Sequence, residues 1–226
     1  MAKEYLQIIR TRSVEGWGRD VPFYDGFEDA ILNWRNTGST PSSIALNTSI
    51  AHKGNKSMQI QTSANLGAHV NPQKNFAPTE AEILKISFFL NNQSTLANAT
   101  FDWYPGVSTE NDETVYVPWI RFEINASKVW TVKLSPNLGS TWITLKNNLQ
   151  WPTGTDYWSP FVLYINLKTK KYIKLLIDRF VFDITQYSLG QYTSPGLQPP
   201  MYAFQLTTNE AANKVLNIDE CLVDIA

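Results

Sequence analysis

The chain of 226 residues carries a net charge of only −1 at pH 7, with hydrophobic residues at 43% and charged residues at 17%. Its densest basic stretch, residues 168–171, is too short to replace the counterions of a phosphate backbone, which argues against nucleic-acid binding. No apolar run has the length of a membrane span, and the single cysteine, Cys221, excludes an internal disulfide framework.

Residues 1–22 are predicted to form an extended N-terminal arm that precedes the folded domain. The stretch from Tyr5 through Ile8 has the composition of a short strand, Trp17 lies between two glycines, and Pro22 marks the entry to the domain. Such an arm either covers its own domain or pairs with the edge of a neighbouring subunit. Tyr5, Ile8 and Trp17 are the residues expected to make its contacts.

From Phe23 to the C-terminus, the pattern is that of β-strands. Apolar residues alternate with polar ones in repeated short segments, such as the face formed by Leu84, Ile86, Phe88 and Leu90. A series of about ten to twelve such segments, bounded by Asn, Gly, Pro and Ser clusters, predicts an all-β, two-sheet antiparallel jelly-roll β-sandwich. Residues 23–226 are expected to form this single domain, with residues 186–200 as a long loop inside it.

Two short sequence motifs near the ends of the domain resemble those of a known family of folds. The first is Phe27-Glu28-Asp29, followed by Trp34 and by the segment AHKGNKSMQI at residues 51–60. The second is Asn217-Ile218-Asp219-Glu220-Cys221-Leu222-Val223 at the C-terminus. Together they resemble the opening and closing strands of jelly-roll sandwiches of the carbohydrate-binding-module and laminin-G-like (concanavalin-like) kind.

This resemblance implies a structural calcium ion. In such domains the first and last strands lie side by side, and an acidic residue from each helps to hold the ion. Glu28 and Asp219 occupy the matching positions, with backbone atoms near residues 53–55 completing the site. Oxygen ligands of this kind suit a hard cation. The alternative is that both acids cap strand ends or pair with a lysine.

A second candidate site is a surface that binds sugar. Trp119, Arg121 and Glu123 share the non-core face of one predicted strand, and aromatic rings next to planar polar groups suit sugar rings and their hydroxyls. Trp103 and Trp158 lie in loop-like segments that are expected to border the same face. The alternative is that these large aromatic side chains fill the core or a subunit interface.

The sequence contains no familiar catalytic motif, so the chain is predicted not to be an enzyme. His52 and His69 have no metal-binding spacing, and no nucleophile elbow, zinc-protease motif or phosphate-binding glycine loop is present. Jelly-roll glycosidases place carboxylates at alternate positions of one strand. The nearest acidic cluster here, residues 110–113, lies in a loop-like segment instead.

Two functions from different classes follow from these features. No signal peptide is apparent after Met1, so the chain is expected to fold in a host cytoplasm. With its arm and low charge, it is predicted to be a homo-oligomeric capsid decoration or tail-associated adhesion protein on the virion surface of a phage or archaeal virus, bound to itself or to capsid and tail subunits. The alternative is a glycan-binding module, which would be extracellular if a signal peptide had been trimmed.

Overall fold

The structure, a computed structural model, describes residues 23–76, 79–92, 96–108, 113–152, 154, 156–193 and 199–226. Within these ranges the regular elements are β-strands, and no helical segment there has the length and hydrophobicity of a membrane span. The arm residues Tyr5, Ile8 and Trp17 lie outside the described residues.

Sheet one contains eight antiparallel strands. They are β1 (Phe23–Asp25), β3 (Ser43–Asn47), β4 (Ser57–Gln61), β7 (Ile83–Asn91), β13 (Ser159–Asn166), β14 (Lys171–Ile177), β15 (Phe180–Asp183) and β18 (Val215–Ile225). Their spatial order is β15-β14-β13-β7-β18-β4-β3, and β1 also pairs with β18. The closing strand β18 therefore lies near the middle of the sheet.

Sheet two also contains eight antiparallel strands. They are β2 (Arg35–Asn36), β5 (His69–Val70), β6 (Pro72–Asn75), β8 (Ala99–Trp103), β10 (Trp119–Ile124), β11 (Val129–Ser135), β12 (Ile143–Gln150) and β17 (Met201–Thr208). Their order is β12-β11-β10-β8-β17-β6-β2, with β5 also pairing with β17. A separate two-stranded pair joins β9 (Thr114–Val117) to β16 (Gly190–Thr193).

The core lies between the two large sheets, where their apolar faces meet. Leu84, Ile86, Phe88 and Leu90, the face predicted from the alternation in β7, are all fully buried. The Phe88 ring stacks on Phe161 of the same sheet and meets aromatic rings of sheet two edge-on. Because buried aromatic side chains contribute the largest apolar areas, this cluster holds the sheets together. The prediction of an all-β, two-sheet sandwich is confirmed.

Several strands differ from the sequence prediction. The described residues form eighteen strands, more than expected. The largely apolar stretch of residues 172–184, which has the sequence of one long strand, is divided into β14 and β15 by a turn in which Asp178 has a positive φ of 52°. Inside the predicted loop of residues 186–200, β16 is a strand although its residues 191–193 are exposed. Its pairing with β9 provides the strand geometry, which no local alternation of apolar residues could reveal.

Two buried tyrosines bond across the sandwich. Tyr172 of sheet one donates its hydroxyl hydrogen to the Ser135 carbonyl of sheet two at 2.8 Å, and the same oxygen accepts the Trp119 backbone N–H at 2.8 Å. Tyr202 of sheet two donates to the Ser87 carbonyl of sheet one at 2.8 Å. The bonds of Tyr172 fix the position of β10 relative to the opposite sheet, and the bond of Tyr202 does the same for β17.

Candidate functional site

The outward face of sheet two carries large aromatic and charged side chains close together, which is unusual for a solvent-facing sheet. On β10, Ile120, Phe122 and Ile124 point into the core, whereas Trp119, Arg121 and Glu123 alternate with them and point outward. Cross-strand pairing places Arg121 between Asp102 of β8 and Lys133 of β11. The predicted grouping of Trp119, Arg121 and Glu123 on one face is present in the structure.

Three half-buried aromatic side chains at the start of β10 form what we call the aromatic patch: Tyr104, Trp119 and Trp142. The Tyr104 and Trp119 ring centroids are 5.0 Å apart, and Trp142 meets Trp119 edge-on with centroids 5.7 Å apart. The Tyr104 hydroxyl donates to Asn71 Oδ1 at 2.7 Å, which fixes its ring. Burial raises the pKa of Tyr104, so the hydroxyl stays protonated in the physiological range.

The turn between β11 and β12 brings Trp142 to Trp119. Leu138 and Gly139 both have positive φ, 57° and 83°, and the Gly139 N–H donates to the Ser135 hydroxyl at 2.7 Å. A Cβ atom at Gly139 would lie 3.1 Å from the Trp119 ring, so glycine permits both the turn and the close approach of the indole. The turn therefore determines the shape of the aromatic patch.

An arginine–aspartate pair adjoins the aromatic patch. Arg121 donates from Nε and Nη2 to the two Asp102 carboxylate oxygens, at 2.8 and 2.9 Å, and its guanidinium lies 4.0 Å from the Trp142 ring centroid. Asp102 is only 1% exposed. Burial raises the pKa of its carboxyl, although the Arg121 hydrogen bonds and charge oppose the shift. Two bonds and one stacking contact thus hold the guanidinium plane in one orientation.

Beyond Arg121 the face becomes wholly polar. Lys133 Nζ lies 2.6 Å from Glu123 Oε2, and Thr100 and Thr131 flank Glu123 on the neighbouring strands. We call Asp102, Arg121, Glu123 and Lys133 the polar strip. Together with the aromatic patch, it offers apolar ring faces and oriented hydrogen-bonding groups side by side. This combination suits a ligand that has both an apolar face and many hydroxyls.

Two tryptophans expected on this face lie elsewhere. Trp103 is fully buried, because it alternates with Asp102 on β8 and its ring meets Phe88 in the core, with centroids 4.8 Å apart. Trp158 lies on the other side of the sandwich, where its ring contacts His52. Their places in the site are taken by Tyr104 and Trp142. The alternation of β8 past Trp103 already puts Tyr104 on the face of Asp102, but Trp142 follows a turn and could not be assigned from alternation.

The predicted calcium residues converge on one loop, as the resemblance implied. Glu28 Oε1 accepts the backbone N–H groups of Asn55 and Lys56, and Asp219 Oδ2 accepts those of His52 and Lys53. The loop thus presents amide donors, not carbonyl ligands, to both carboxylates.

The nearby carbonyl groups are also engaged. The Lys56 ammonium donates to the carbonyls of Glu28 and Asp29, each at 2.8 Å. Within the described ranges, no group of three or more His, Cys, Asp or Glu side chains is placed to hold a metal. In this arrangement the residues do not fit an ion. Calcium binding stays a prediction, which titration of chelator-treated protein with calcium would test.

His52 lies beside the buried carboxyl groups of Asp219 and Glu220, on the outward side of sheet one. Its ring stacks on Phe89 with centroids 3.7 Å apart, and its Nδ1 lies 2.5 Å from Glu220 Oε2. Glu220 sits in a bulge of β18 with a positive φ of 50°. Burial raises the pKa of the neighbouring Asp219 to about 7, against the hydrogen bonds from three backbone N–H groups.

Comparison with known proteins identifies the fold but no family. No protein-family model matches the chain, and no curated protein matches it in sequence. Among solved structures, it is similar to an endo-β-1,4-glucuronan lyase from the fungus Trichoderma reesei, with a TM-score of 0.60 at 12% identity, covering 91% of this chain and 96% of that one. It is also similar to Cip1, a cellulose-induced protein, with a TM-score of 0.56 at 15% identity and coverages of 90% and 97%.

A third similar structure is the carbohydrate recognition domain of Emp46p in its metal-free form, with a TM-score of 0.51 at 9% identity, covering 85% of this chain and 88% of that one. At these identities the likeness shows the fold alone. The fold is a jelly-roll β-sandwich of the carbohydrate-binding and lectin-like kind, which confirms the resemblance inferred from the two terminal sequence motifs.

The comparison also corrects one prediction. The chain was predicted not to be an enzyme because its sequence contains no familiar catalytic motif. That prediction is contradicted, since the same fold, over nearly the whole chain, is that of a glucuronan lyase. The absence of a familiar motif is therefore no guide to catalysis in this fold, because function depends on the side chains that a site brings together.

Proposed function

We propose that this protein binds a glycan on the outward face of sheet two. The observation that carries the proposal is the position of the aromatic patch beside the polar strip. Trp119 and Trp142 offer ring faces of the kind that stack on the apolar faces of sugar rings. Arg121, held in one plane by Asp102, offers its remaining N–H groups to hydroxyls, because no described residue accepts a hydrogen bond from its Nη1.

The similar structures support glycan binding in preference to the virion role. They include a carbohydrate recognition domain and a lyase named for a polysaccharide. What those proteins bind is a property of theirs, so their support for this chain rests on the shared fold. The virion structural role predicted from the sequence has no such support, and its proposed arm contacts lie outside the described residues.

A glycan array probed with the labelled protein tests the proposal. Trp119→Ala removes the central ring of the aromatic patch, and it should reduce binding to the glycans recognised by the unaltered protein by about tenfold or more. Trp158→Ala is the matched control, because it removes a half-buried tryptophan on the opposite side of the sandwich. Circular dichroism should show both variants folded. The proposal fails if no glycan binds, or if the two variants lose binding equally.

A further inference from the structure

The far end of the outward face holds a second recess that the aromatic patch does not reach. It is a depression of about 340 Å³ at the end of β10 opposite Trp119. Three carboxamides, two hydroxyls and one carboxylate line it, from Asn125, Asn148, Asn209, Thr100, Thr131 and Glu123. Among the described residues that line it, none is aromatic. Hydrogen bonding is therefore the chemistry that this recess provides.

Much of that hydrogen-bonding capacity is free. Asn209 Nδ2 donates to the Thr100 hydroxyl at 3.2 Å, and Asn125 Oδ1 accepts the Val129 N–H at 3.0 Å. The Asn148 amide makes no side-chain hydrogen bond within the described part of the chain. Carboxamides and hydroxyls both donate and accept, as sugar hydroxyls do, so a ring with several hydroxyls would find partners of both kinds here.

Between the aromatic patch and the polar depression, each charged side chain of the polar strip is already paired with one of opposite charge. Arg121 is bound by Asp102 through two hydrogen bonds, and Lys133 lies 2.6 Å from Glu123. A carboxylate on a ligand would lie close to both acids, whose negative charges already offset the charges of the two cations. The next cation outward, Lys146, is exposed on the edge strand β12, where solvent and salt screen its charge.

We propose that the ligand is a neutral oligosaccharide that lies along β10, from the aromatic patch to the polar depression, and not a polymer of uronic acids. This inference rests on the proposed function and adds the chemical class and the extent of the ligand. The residues from Trp119 to Asn125 span about 20 Å at 3.4 Å per residue, so a chain of several sugar rings is needed to reach both ends.

Two pairs of hexasaccharides that share a linkage and differ in a carboxylate at C6 test the chemical class. They are β-1,4-glucan and β-1,4-glucuronan, and β-1,4-mannan and β-1,4-mannuronan. Titration calorimetry should show binding to a neutral member and about tenfold weaker binding to its uronate. Binding that favours a uronate and depends on Trp119 would overturn the inference and leave the proposed function standing. Binding to none of the four would overturn the inference, and the proposed function would fall with it only if the glycan array also shows no binding.

Shortening the ligand tests its extent. Thr131→Val and Asn209→Ala remove hydrogen-bonding groups from the depression without touching the aromatic patch. Each should weaken binding of the neutral hexasaccharide by about fivefold and leave binding of the corresponding disaccharide unchanged. Gln59→Ala on sheet one is the control and should change neither. Equal affinity of the hexasaccharide for the unaltered protein and both depression variants would overturn the extended binding mode.

Discussion

At the scale of single residues, Asp102 carries the strongest constraint on the candidate site. Its carboxylate is buried on the outward face of a sheet, and Arg121 compensates it with two hydrogen bonds. A buried charge without its partner is strongly destabilising, because the loss of solvation is no longer offset. Arg121 therefore has a structural role as well as its proposed role toward the ligand.

Replacing Arg121 should expose this dependence. Arg121→Met is expected to lower the free energy of unfolding by about 2–3 kcal/mol at pH 7, because it leaves Asp102 unpaired. Without the guanidinium the pKa of Asp102 rises further, so the native state takes up a proton more readily than the unfolded state. Stability of the variant should then increase as the pH falls from 7 to 5. Urea unfolding at both pH values measures the free energy of unfolding, and Arg179→Met, at an exposed arginine, is the control. Equal losses of unfolding free energy in the two variants would contradict the structural role of Arg121.

The raised pKa of Asp219 predicts that the stability of the unaltered protein depends on pH. Its pKa is raised to about 7 in the folded state, whereas an unfolded aspartate titrates near 3.9. Between these values the native state binds more protons, so this residue makes stability fall as the pH rises toward 7, with a slope approaching about 1.4 kcal/mol per pH unit. Asp219→Asn should flatten the curve of unfolding free energy against pH over this range. An unchanged slope in the variant would refute the assignment.

At the scale of elements, the β11–β12 turn connects backbone conformation to the site. Its two residues with positive φ turn the chain so that Trp142 lies edge-on to Trp119 and over Arg121. The strand β10 alone would present only Trp119. The aromatic patch therefore depends on a turn whose geometry requires a glycine next to the indole.

Gly139→Ala tests this dependence against a matched control. Gly67 has a similar φ, 77°, but a Cβ atom there would meet nothing within 4 Å. Both alanine variants should lose about 1 kcal/mol of stability, because L-residues disfavour this backbone conformation. Only Gly139→Ala should also weaken glycan binding, since its Cβ would press on the Trp119 ring. Chemical unfolding and calorimetry separate the two effects, and equal binding by both variants would count against the turn's role.

At the scale of the whole molecule, buried tyrosine hydroxyls couple the two sheets. Tyr172 reaches across the core from sheet one to the Trp119 N–H and the Ser135 carbonyl. Its burial raises the pKa of the hydroxyl, so it remains a neutral donor and acceptor. The site on sheet two is thereby anchored to the opposite layer of the sandwich.

Phenylalanine substitutions measure this coupling. Tyr172→Phe leaves the Trp119 N–H without a partner and should cost about 1–2 kcal/mol of unfolding free energy. It should also weaken glycan binding severalfold by releasing the start of β10. Tyr202→Phe removes an equivalent cross-sheet bond, to the Ser87 carbonyl, away from Trp119. It should destabilise the protein to a similar extent with unchanged affinity. Loss of affinity in both variants would indicate general loosening instead.

The sequence by itself determined the fold class and one face of the site. Side chains of a β-strand alternate between its two faces, so every second residue lies on the same face. The alternation of β10 was therefore enough to group Trp119, Arg121 and Glu123. The same alternation identified the buried face of β7, which includes Phe88. These are local properties of the chain, because the direction of a side chain in a strand depends only on its position in that strand.

Only the tertiary structure decided which other side chains join that face. Trp103 is buried and Trp158 lies on the opposite side of the sandwich. The β11–β12 turn places Trp142 on the face, and the pairing of β8 with β10 places Asp102 there. Strand order and register set these neighbours, and they depend on contacts between residues far apart in the chain. Alternation fixes the direction of a side chain from its own strand, but it carries no information about which strand lies next to it.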